Sequence, residues 1–304
     1  MDLLTDILGS ADIQKSLIAQ RAFYSHWAVR FPCENSIGFH AVTQGEVYIR
    51  GSGLEQPLLL KKGDLLLVAK GFDHELATKL DMACDHILQF PVDTPAPGQR
   101  PLVTLASGVY HFAATPLHPL FKEIPQSILL RADDIAAHAP LHAALLLLSS
   151  ELSNRDLGSE AVTRNLLDIL FHYILRNWIS SISDNPCRWN VALRDKHLLL
   201  ALESIHAKPE SNWTVDDLAG VAGASRASFA EKFKRLTGET PALYVSKVRI
   251  QKAARILRQG RHNVEQTAEL VGYQDAFVFS KIFKRLQGQS PRDYRKSFTA
   301  AHSV

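Results

Sequence analysis

The chain has 304 residues, of which 46% are hydrophobic and 21% charged, the composition of a globular protein with about two domains. Its longest apolar run, Ala143 to Leu148, is far too short to cross a bilayer, and its acidic start lacks the basic residues of a signal peptide. Cys33, Cys84 and Cys187 form no CxxC pair, which argues against a zinc knuckle or a disulfide framework. We therefore expect a cytoplasmic protein without membrane contact.

The formal net charge of +3 hides a division along the chain. Residues 1–187 contain 14 Lys and Arg against 20 Asp and Glu, a net charge of −6. Residues 188–304 contain 20 against 11, a net charge of +9. A basic C-terminal half suggests that this half alone meets a polyanion, although a solvated basic surface would give the same charge.

Residues from about 20 to 112 are predicted to be rich in β-strands. Turn signals at Gly45, 51–53, 62–64 and 70–73 separate short apolar stretches at 37–42, 46–50, 58–60, 65–69 and 86–90. Many short strands at this spacing indicate a sandwich or a barrel.

From about residue 133 the pattern becomes helical. The stretches 138–152 and 160–179 are predicted to be two helices joined near Gly158, and the loop-like segment 182-ISDNPCRWN-190 marks the main boundary. We predict a first domain over 1–185 with its helical segment at about 133–181, a linker over 186–195, and a second domain over 196–298 that is all helical. Its first helix is predicted over Leu193 to His206.

The second domain contains one unit written twice. The stretches 229-FAEKFKRLTGETP-241 and 279-FSKIFKRLQGQSP-291 repeat Phe, Phe, Lys, Arg, Leu, Gly and Pro at an offset of 50 residues. Upstream, Val215/Val264, Ala219/Ala268 and Gly223/Gly272 match at an offset of 49. Each copy reads as a short helix, a turn at Gly and a second helix, which is the helix-turn-helix pattern.

Helical phase divides each second helix into a core face and a free face. The core faces are Phe229, Phe233 and Leu236, and then Phe279, Phe283 and Leu286. Opposite them stand Ala227, Glu231, Lys234 and Arg235 in the first copy, and Phe277, Lys281, Lys284 and Arg285 in the second. We expect Phe277 to meet a thymine methyl group, Glu231 to accept from cytosine and Lys281 to donate to guanine. The Lys-Arg pairs at the helix ends suit phosphates.

With these motifs, residues 196–298 resemble the double helix-turn-helix domain of AraC/XylS-type transcriptional regulators. The resemblance implies double-stranded DNA as the partner and RNA polymerase if the protein is an activator. It implies base contacts at Arg226, Ala227, Ala230, Glu231, Ala276, Phe277, Ser280 and Lys281. Glu231 departs from the Arg common in the family, which affects the base preference expected at the first half-site.

The first domain resembles the cupin-like sensor domain of one branch of these regulators. The matching parts are Phe39-His40, Gly45, the Gly63-Asp64 turn, 71-GFDH-74 and 117-LHPLFKEIP-125. A metal-dependent cupin enzyme would have an HxH pair, but Val42 occupies the second position and leaves only His40, Glu46 and His74 as ligands. We therefore predict no metal, cofactor or catalytic residue, and a small-molecule pocket with His40 and His74.

Several alternatives stay open at this point. Cys33 and Cys84 could sense oxidants instead, although most lone cysteines are buried small residues. The helices at 138–152 and 160–179 could pair two protomers into a homodimer or pack only within the chain. The competing functions are a cupin-type metal-dependent enzyme with a nucleic-acid-binding tail, and a structural nucleoid protein. The fold expected is a multidomain α+β protein: a cupin-like β-barrel with a helical dimerisation element, followed by the double helix-turn-helix domain.

Overall fold

The computed structural model describes residues 2–11, 13–33, 36–84, 95–112, 118–154, 156–181 and 188–299. They form two compact units, and both are discontinuous in sequence. One unit comprises Gln14–His111 and Ile124–Ser181, and the other comprises Met1–Ile13, Phe112–Glu123 and Ile182–Val304. The predicted strand at 86–90 lies outside the described residues.

The first unit contains two antiparallel sheets. The five-stranded sheet has the order β1-β8-β3-β6-β9 and the four-stranded sheet the order β2-β7-β4-β5. The strands are β1 (Ile13–Phe23), β2 (Ala28–Phe31), β3 (Ser36–Gln44), β4 (Glu46–Gly51), β5 (Leu58–Lys61), β6 (Leu65–Val68), β7 (His74–Ala77), β8 (Val103–Phe112) and β9 (Ser127–Leu130).

The core of this unit lies between the sheets. Val47, Ile49 and Leu76 of one sheet pack in a single buried cluster with Val42 and Leu66 of the other. The predicted turn at Gly63-Asp64 is built by hydrogen bonds: the buried Asp64 carboxylate accepts from the backbone N–H groups of Lys61 and Ala132 at 3.0 Å each. The cupin-like arrangement expected from the sequence is therefore present.

Three helices follow the strands in this unit. They are α3 (Ala132–Ala137), α4 (Ala139–Asn154) and α5 (Ser159–Ser181), and α4 packs along α5 as a hairpin. The Tyr110 hydroxyl of β8 donates to the Leu167 carbonyl at 2.8 Å, and its ring stacks on Phe171 with centroids 4.5 Å apart. These contacts fix α5 against the five-stranded sheet, and the two predicted helices agree with α4 and α5.

The second unit is helical. Its helices are α1 (Leu3–Ser10), α2 (Pro119–Glu123), α6 (Arg188–Arg194), α7 (Lys196–Ala207), α8 (Val215–Val221), α9 (Arg226–Thr237), α10 (Pro241–Arg258), α11 (Val264–Leu270), α12 (Ala276–Gln287) and α13 (Pro291–Thr299).

The units divide the chain differently from the domains predicted in the sequence. The sequence predicts the residues of α1 and α2 in the first domain, but both helices belong to the helical unit, since α1 packs on α7 and α10, and α2 packs on α6. The predicted linker over 186–195 contains α6, in which Trp189 is fully buried. The helix predicted from Leu193 begins at Lys196, because the Asp195 carboxylate accepts from the Leu198 N–H at 2.9 Å and caps a new helix there.

Candidate nucleic-acid interface

The first helix-turn-helix consists of α8 and α9. Thr214 caps α8 in a capping box, in which its hydroxyl accepts from the Asp217 N–H and the Asp217 carboxylate accepts from the Thr214 N–H. The chain then turns at Gly223, whose φ of 61° lies in the left-handed region. Ser225 caps α9, and Gly238, with φ of 81°, ends it. The short helix, the glycine turn and the second helix follow one another in the order that the sequence predicts.

The two faces of α9 are separated as the helical phase predicts. Phe229 and Phe233 are buried, whereas Glu231, Lys234 and Arg235 are exposed. At the start of α9, Arg226 forms an exposed ion pair with Asp216 at 2.9 Å. An exposed pair of this kind contributes little to stability, so DNA could replace Asp216 as the partner of Arg226 at small cost.

The second helix-turn-helix repeats this construction in α11 and α12. Asn263 and Gln266 form the capping box of α11, and Gly288 ends α12 with φ of 80°. The N-cap of α12 is Asp275, whose Oδ1 accepts from the N–H groups of Phe277 and Val278 at 2.7 and 3.3 Å. Both second helices have 12 residues, and the offsets of 49 and 50 are those of the sequence repeat.

The free face of α12 is more apolar and more cationic than that of α9. Phe279 and Phe283 are fully buried, but Phe277 is 78% exposed and Val278 is 45% exposed. Lys281, Lys284 and Arg285 are also exposed on this helix. A large aromatic ring left in water beside three cations is an unusual surface unless a partner covers it.

Helix α10 joins the two helix-turn-helix units. Its Arg249 side chain donates to the carbonyls of Pro209 and Ser211 at 2.7 and 2.9 Å and lies 5.2 Å from the ring centroid of Tyr273. Arg249 therefore ties the segment before α8 to the turn between α11 and α12. The 18 residues of α10 span about 27 Å at about 1.5 Å per residue.

All base-contact candidates lie in the first two turns of α9 and α12. Arg226, Ala227, Glu231, Phe277 and Lys281 are exposed, while the smaller candidates at 230, 276 and 280 are half-buried. Sequence reasoning missed Val278. Its equivalent in the first copy is Ser228, and comparing the two copies at this position would have revealed a second apolar side chain on the surface.

Comparison with known proteins decides the family. Residues 2–180 match the Cupin family, and residues 218–297 match the family described as Helix-turn-helix domain. A putative AraC-like transcription regulator of Streptomyces lividans is 30% identical over 97% of this chain and 98% of its own length. The chain belongs to the AraC-like transcriptional regulators.

Two further proteins are similar to this AraC-like regulator over most of its length. The HTH-type transcriptional regulator AlkR of Acinetobacter baylyi is 27% identical over 97% of this chain and 99% of that protein. The solved structure of ToxT from Vibrio cholerae has 13% identity and a TM-score of 0.38, and the match covers 94% of this chain and 98% of that one. The expected family and the function of a DNA-binding transcriptional regulator are confirmed.

In the sheet unit of this AraC-like regulator, His40 and His74 come together although 34 residues separate them. Their Nε2 atoms lie 2.7 Å apart. His74 Nδ1 donates to the Phe72 carbonyl at 3.0 Å, so His74 Nε2 accepts from His40, and His40 Nδ1 accepts from the Ser107 hydroxyl at 2.8 Å. Burial lowers the pKa of His40 well below its usual value and also lowers the pKa of His74, so both imidazoles are neutral.

Glu46, the third residue that could have been a metal ligand, does not join this pair. Glu46 is exposed at the start of β4, and the described residues contain no group of three or more His, Cys, Asp or Glu able to hold a metal ion. Two tetrahedral zinc ligands stand about 3.3 Å apart, so an ion would first have to separate the two Nε2 atoms. The pair is instead a closed hydrogen-bonded unit, stacked on Phe31.

Among the described residues, Cys33 and Cys84 form no disulfide bond. Cys33 is buried, and burial raises its pKa, although a hydrogen bond with Ser36 opposes the shift. A raised pKa disfavours the reactive thiolate form of Cys33. Cys84 is less buried than Cys33, because its side chain is half-buried. Cys187 lies outside the described residues. Among the described helices, none is long and apolar enough to span a membrane.

Proposed function

We propose that this AraC-like regulator reads two adjacent major-groove segments of double-stranded DNA with α9 and α12, which we call the reading helices. The observation that carries the proposal is the pair of matching helix-turn-helix units, in which identical core residues bury one face and different side chains stay exposed on the other. The length of α10, about 27 Å, is close to one turn of B-DNA, about 34 Å.

The differing residues assign a base preference to each reading helix. Phe277 and Val278 form an apolar tip suited to thymine methyl groups, and Lys281 can donate to guanine. On α9, Glu231 can accept from cytosine N4, while Arg226 can donate to guanine once it leaves Asp216. The exposed cations at the ends of the two helices, Lys234, Arg235, Lys284 and Arg285, suit phosphates.

Selection of bound sequences from a random DNA pool tests this assignment. The double change Phe277→Ala/Lys281→Ala should cost about 1–3 kcal/mol for each lost base contact and relax the selected sequence at one half-site only. Lys234→Ala is the matched control, and it should weaken binding to all sequences alike and reduce the salt dependence. An unchanged selected sequence after the double change would exclude α12 as a reading helix.

For the sheet unit we propose recognition of a small-molecule effector near His40 and His74. The support is a neutral, buried imidazole pair among aromatic rings inside a sheet unit of cupin type. Such a pair can exchange its internal hydrogen bond for one to a polar ligand. Isothermal calorimetry with candidate effectors, comparing the natural chain with His74→Phe, would detect binding that depends on the pair.

A thiol switch is the second candidate for the signal, and Cys84 favours it because this thiol is only half-buried and an oxidant can reach it. Treatment with peroxide or hypochlorite should change the DNA affinity of the natural chain but not of Cys84→Ser. Cys33→Ser serves as the comparison for the buried thiol. Equal responses of all three proteins would exclude thiol sensing.

We also propose that the α4–α5 hairpin pairs two protomers. Leu146 and Leu147 on α4 are 60% and 57% exposed, and Val162 and Ile169 on α5 are 43% and 44% exposed. Apolar side chains on adjacent helices suit a self-complementary contact. The natural chain should sediment as a dimer at micromolar concentration and Leu146→Asp/Leu147→Asp as a monomer. A monomeric natural chain would contradict the proposal.

The regulator is proposed to act without catalysing a reaction, because its relatives over nearly the whole length carry the names of transcriptional regulators. We also propose the cytoplasm as its site of action, and RNA polymerase as a partner if the regulator activates transcription. Metal analysis of the purified chain separates this from the cupin-type enzyme, which requires a stoichiometric ion.

A further inference from the structure

Two short segments from the N-terminal half of the chain are part of the helical unit. Helix α1 buries Ile7 and Leu8, and the segment 118–123, which contains α2, buries Leu120 and Phe121. Along the chain, α1 precedes β1, and the segment 118–123 follows β8. Strands β1 and β8 are neighbours in the five-stranded sheet. We call α1 together with residues 118–123 the clasp.

A single chain of hydrogen bonds connects both parts of the clasp to α10. His118 Nε2 and His206 Nε2 each lie 2.8 Å from the hydroxyl oxygen of Tyr244, and His206 Nδ1 lies 2.5 Å from the carboxylate of Asp6. Tyr244 and His118 are 1% and 2% exposed, so water cannot replace these partners. The bonds therefore reach from α1, through α7 and α10, to residue 118.

The directions of these hydrogen bonds follow from His118. Burial lowers the pKa of His118 well below its usual value, so the ring is neutral. The Leu120 N–H donates to His118 Nδ1 at 3.2 Å, so His118 carries its proton on Nε2 and donates to Tyr244. The Tyr244 hydroxyl then donates to His206 Nε2, and the Nδ1–H of His206 donates to Asp6. Every donor has an acceptor, and removing one member leaves buried polar atoms unpaired.

Tyr244 also lies directly behind the first reading helix. Its ring packs against Phe233 of α9, with centroids 5.6 Å apart. On its other side it packs against the ring of Trp189, and the backbone N–H of Trp189 donates to the Glu123 carboxylate of the clasp at 3.1 Å. The position of the clasp is thus connected through Tyr244 to the core residue that sets the position of α9.

The second reading helix lacks this connection. Its equivalent tyrosine is Tyr294, which packs on Phe283 with centroids 5.4 Å apart at the same offset of 50 residues. Its hydroxyl is buried but has no hydrogen-bond partner within the described part of the chain. The two copies therefore share the tyrosine as a packing residue, and only the first copy uses its hydroxyl.

We propose that the clasp is a regulatory coupling that controls the order of α9 while leaving α12 unaffected. A movement of β1 or β8 that displaces α1 or residues 118–123 breaks the bonds to Tyr244 and loosens the first reading helix. A cavity of about 330 Å³ lies beside Asp6 and His206 and is also lined by Arg255. It leaves space for Asp6 to move away from His206. The functional consequence rests on the proposed reading of DNA by α9: one half-site is regulated and the other is constant.

Amide hydrogen exchange of the full chain without DNA tests the coupling separately from the proposed function. In Tyr244→Phe, which keeps the ring, exchange over residues 226–237 should become about fivefold faster, and that over 276–287 should not change. Tyr294→Phe is the matched control and should leave both helices unchanged, because its hydroxyl makes no bond.

Asp6→Ala gives a second test, at the Asp6 end of the series of hydrogen bonds. It should accelerate exchange over α1 and over 226–237 together. An unchanged rate over 226–237 in both variants, or an equal increase over 276–287, would overturn the proposal. If Tyr244→Phe loses its fold and exchanges everywhere, Asp6→Ala decides.

Discussion

Two phenylalanines on α12, two residues apart, have opposite environments. Phe277 is 78% exposed, whereas Phe279 is fully buried in the core of the second helix-turn-helix. This difference in burial indicates that Phe279 packs the core and that Phe277 is available for recognition. By the same reasoning, the residues that are identical in the two repeats are mostly core and helix-end residues.

Phe279→Ala should therefore lower the free energy of unfolding by about 3–5 kcal/mol, the usual cost of removing a buried aromatic ring. Phe277→Ala should change it by less than about 0.5 kcal/mol but weaken specific DNA binding. Urea unfolding followed by circular dichroism, together with DNA titration, measures both quantities. Similar stability losses in the two variants would show that Phe277 is a packing residue.

The buried His40–His74 pair predicts a dependence of stability on pH. Burial lowers the pKa of His40 in the folded state, so between that pKa and the unfolded value of 6.5 the unfolded chain binds more protons. Stability is then full above pH 6.5 and falls as the pH drops below it. His40→Gln should lose less stability between pH 7.5 and 5.5 than the natural chain, by on the order of 1 kcal/mol. An identical pH slope would mean that folding leaves the pKa of His40 unchanged.

At this scale the sequence predicts some residues well and misses others for a physical reason. Periodicity alone places Phe277, Glu231 and Lys281 on exposed faces, because helical phase is a local property. The bonds of Tyr244 to His118 and His206 are not local: 126 and 38 residues separate the partners. No local sequence pattern predicts these hydrogen bonds.

At the scale of elements, helix ends decide how the repeat folds. Gly238 holds φ of 81° at the end of α9, and a Cβ there would meet no atom within 4 Å. Gly220 lies inside α8 and is equally free of neighbours. Substitutions at these two glycines therefore test the effect of backbone conformation on stability without a steric clash.

Gly238→Ala should destabilise the chain by about 1 kcal/mol, since alanine is strained in the left-handed region. Gly220→Ala should stabilise it by about 0.5–1 kcal/mol, because alanine favours the helix interior. The free energies of unfolding of both variants are compared with the natural chain. A stabilised Gly238→Ala variant would contradict the role of this residue as a helix end.

Elements separated by clear turn signals are the ones that the sequence predicts correctly. The turns at Gly223 and Gly272 separate α8 from α9 and α11 from α12, as the sequence repeat predicts. Where α6 lies the sequence instead predicts a linker, because the seven residues of this helix adjoin a Pro- and Asp-containing stretch and its stability depends on burying Trp189. Short helices that depend on tertiary packing leave little periodic signal.

At the scale of the whole molecule, the chain combines a cupin-type unit with two helix-turn-helix units whose exposed side chains differ. Sequence composition already separates an acidic half from a basic half, and the family comparison confirms a transcriptional regulator. The interleaving of α1 and residues 118–123 with the helical unit was not predictable, since domain boundaries in a sequence are read as single cuts.

Hydroxyl-radical footprinting on a selected DNA site tests the central claim most directly. Two protected segments should appear on one face of the duplex, about one helical turn apart. Phe277→Ala/Lys281→Ala should remove protection at one segment and keep the other. A single protected segment, or uniform protection along any DNA, would contradict reading by α9 and α12 and favour a nucleoid protein.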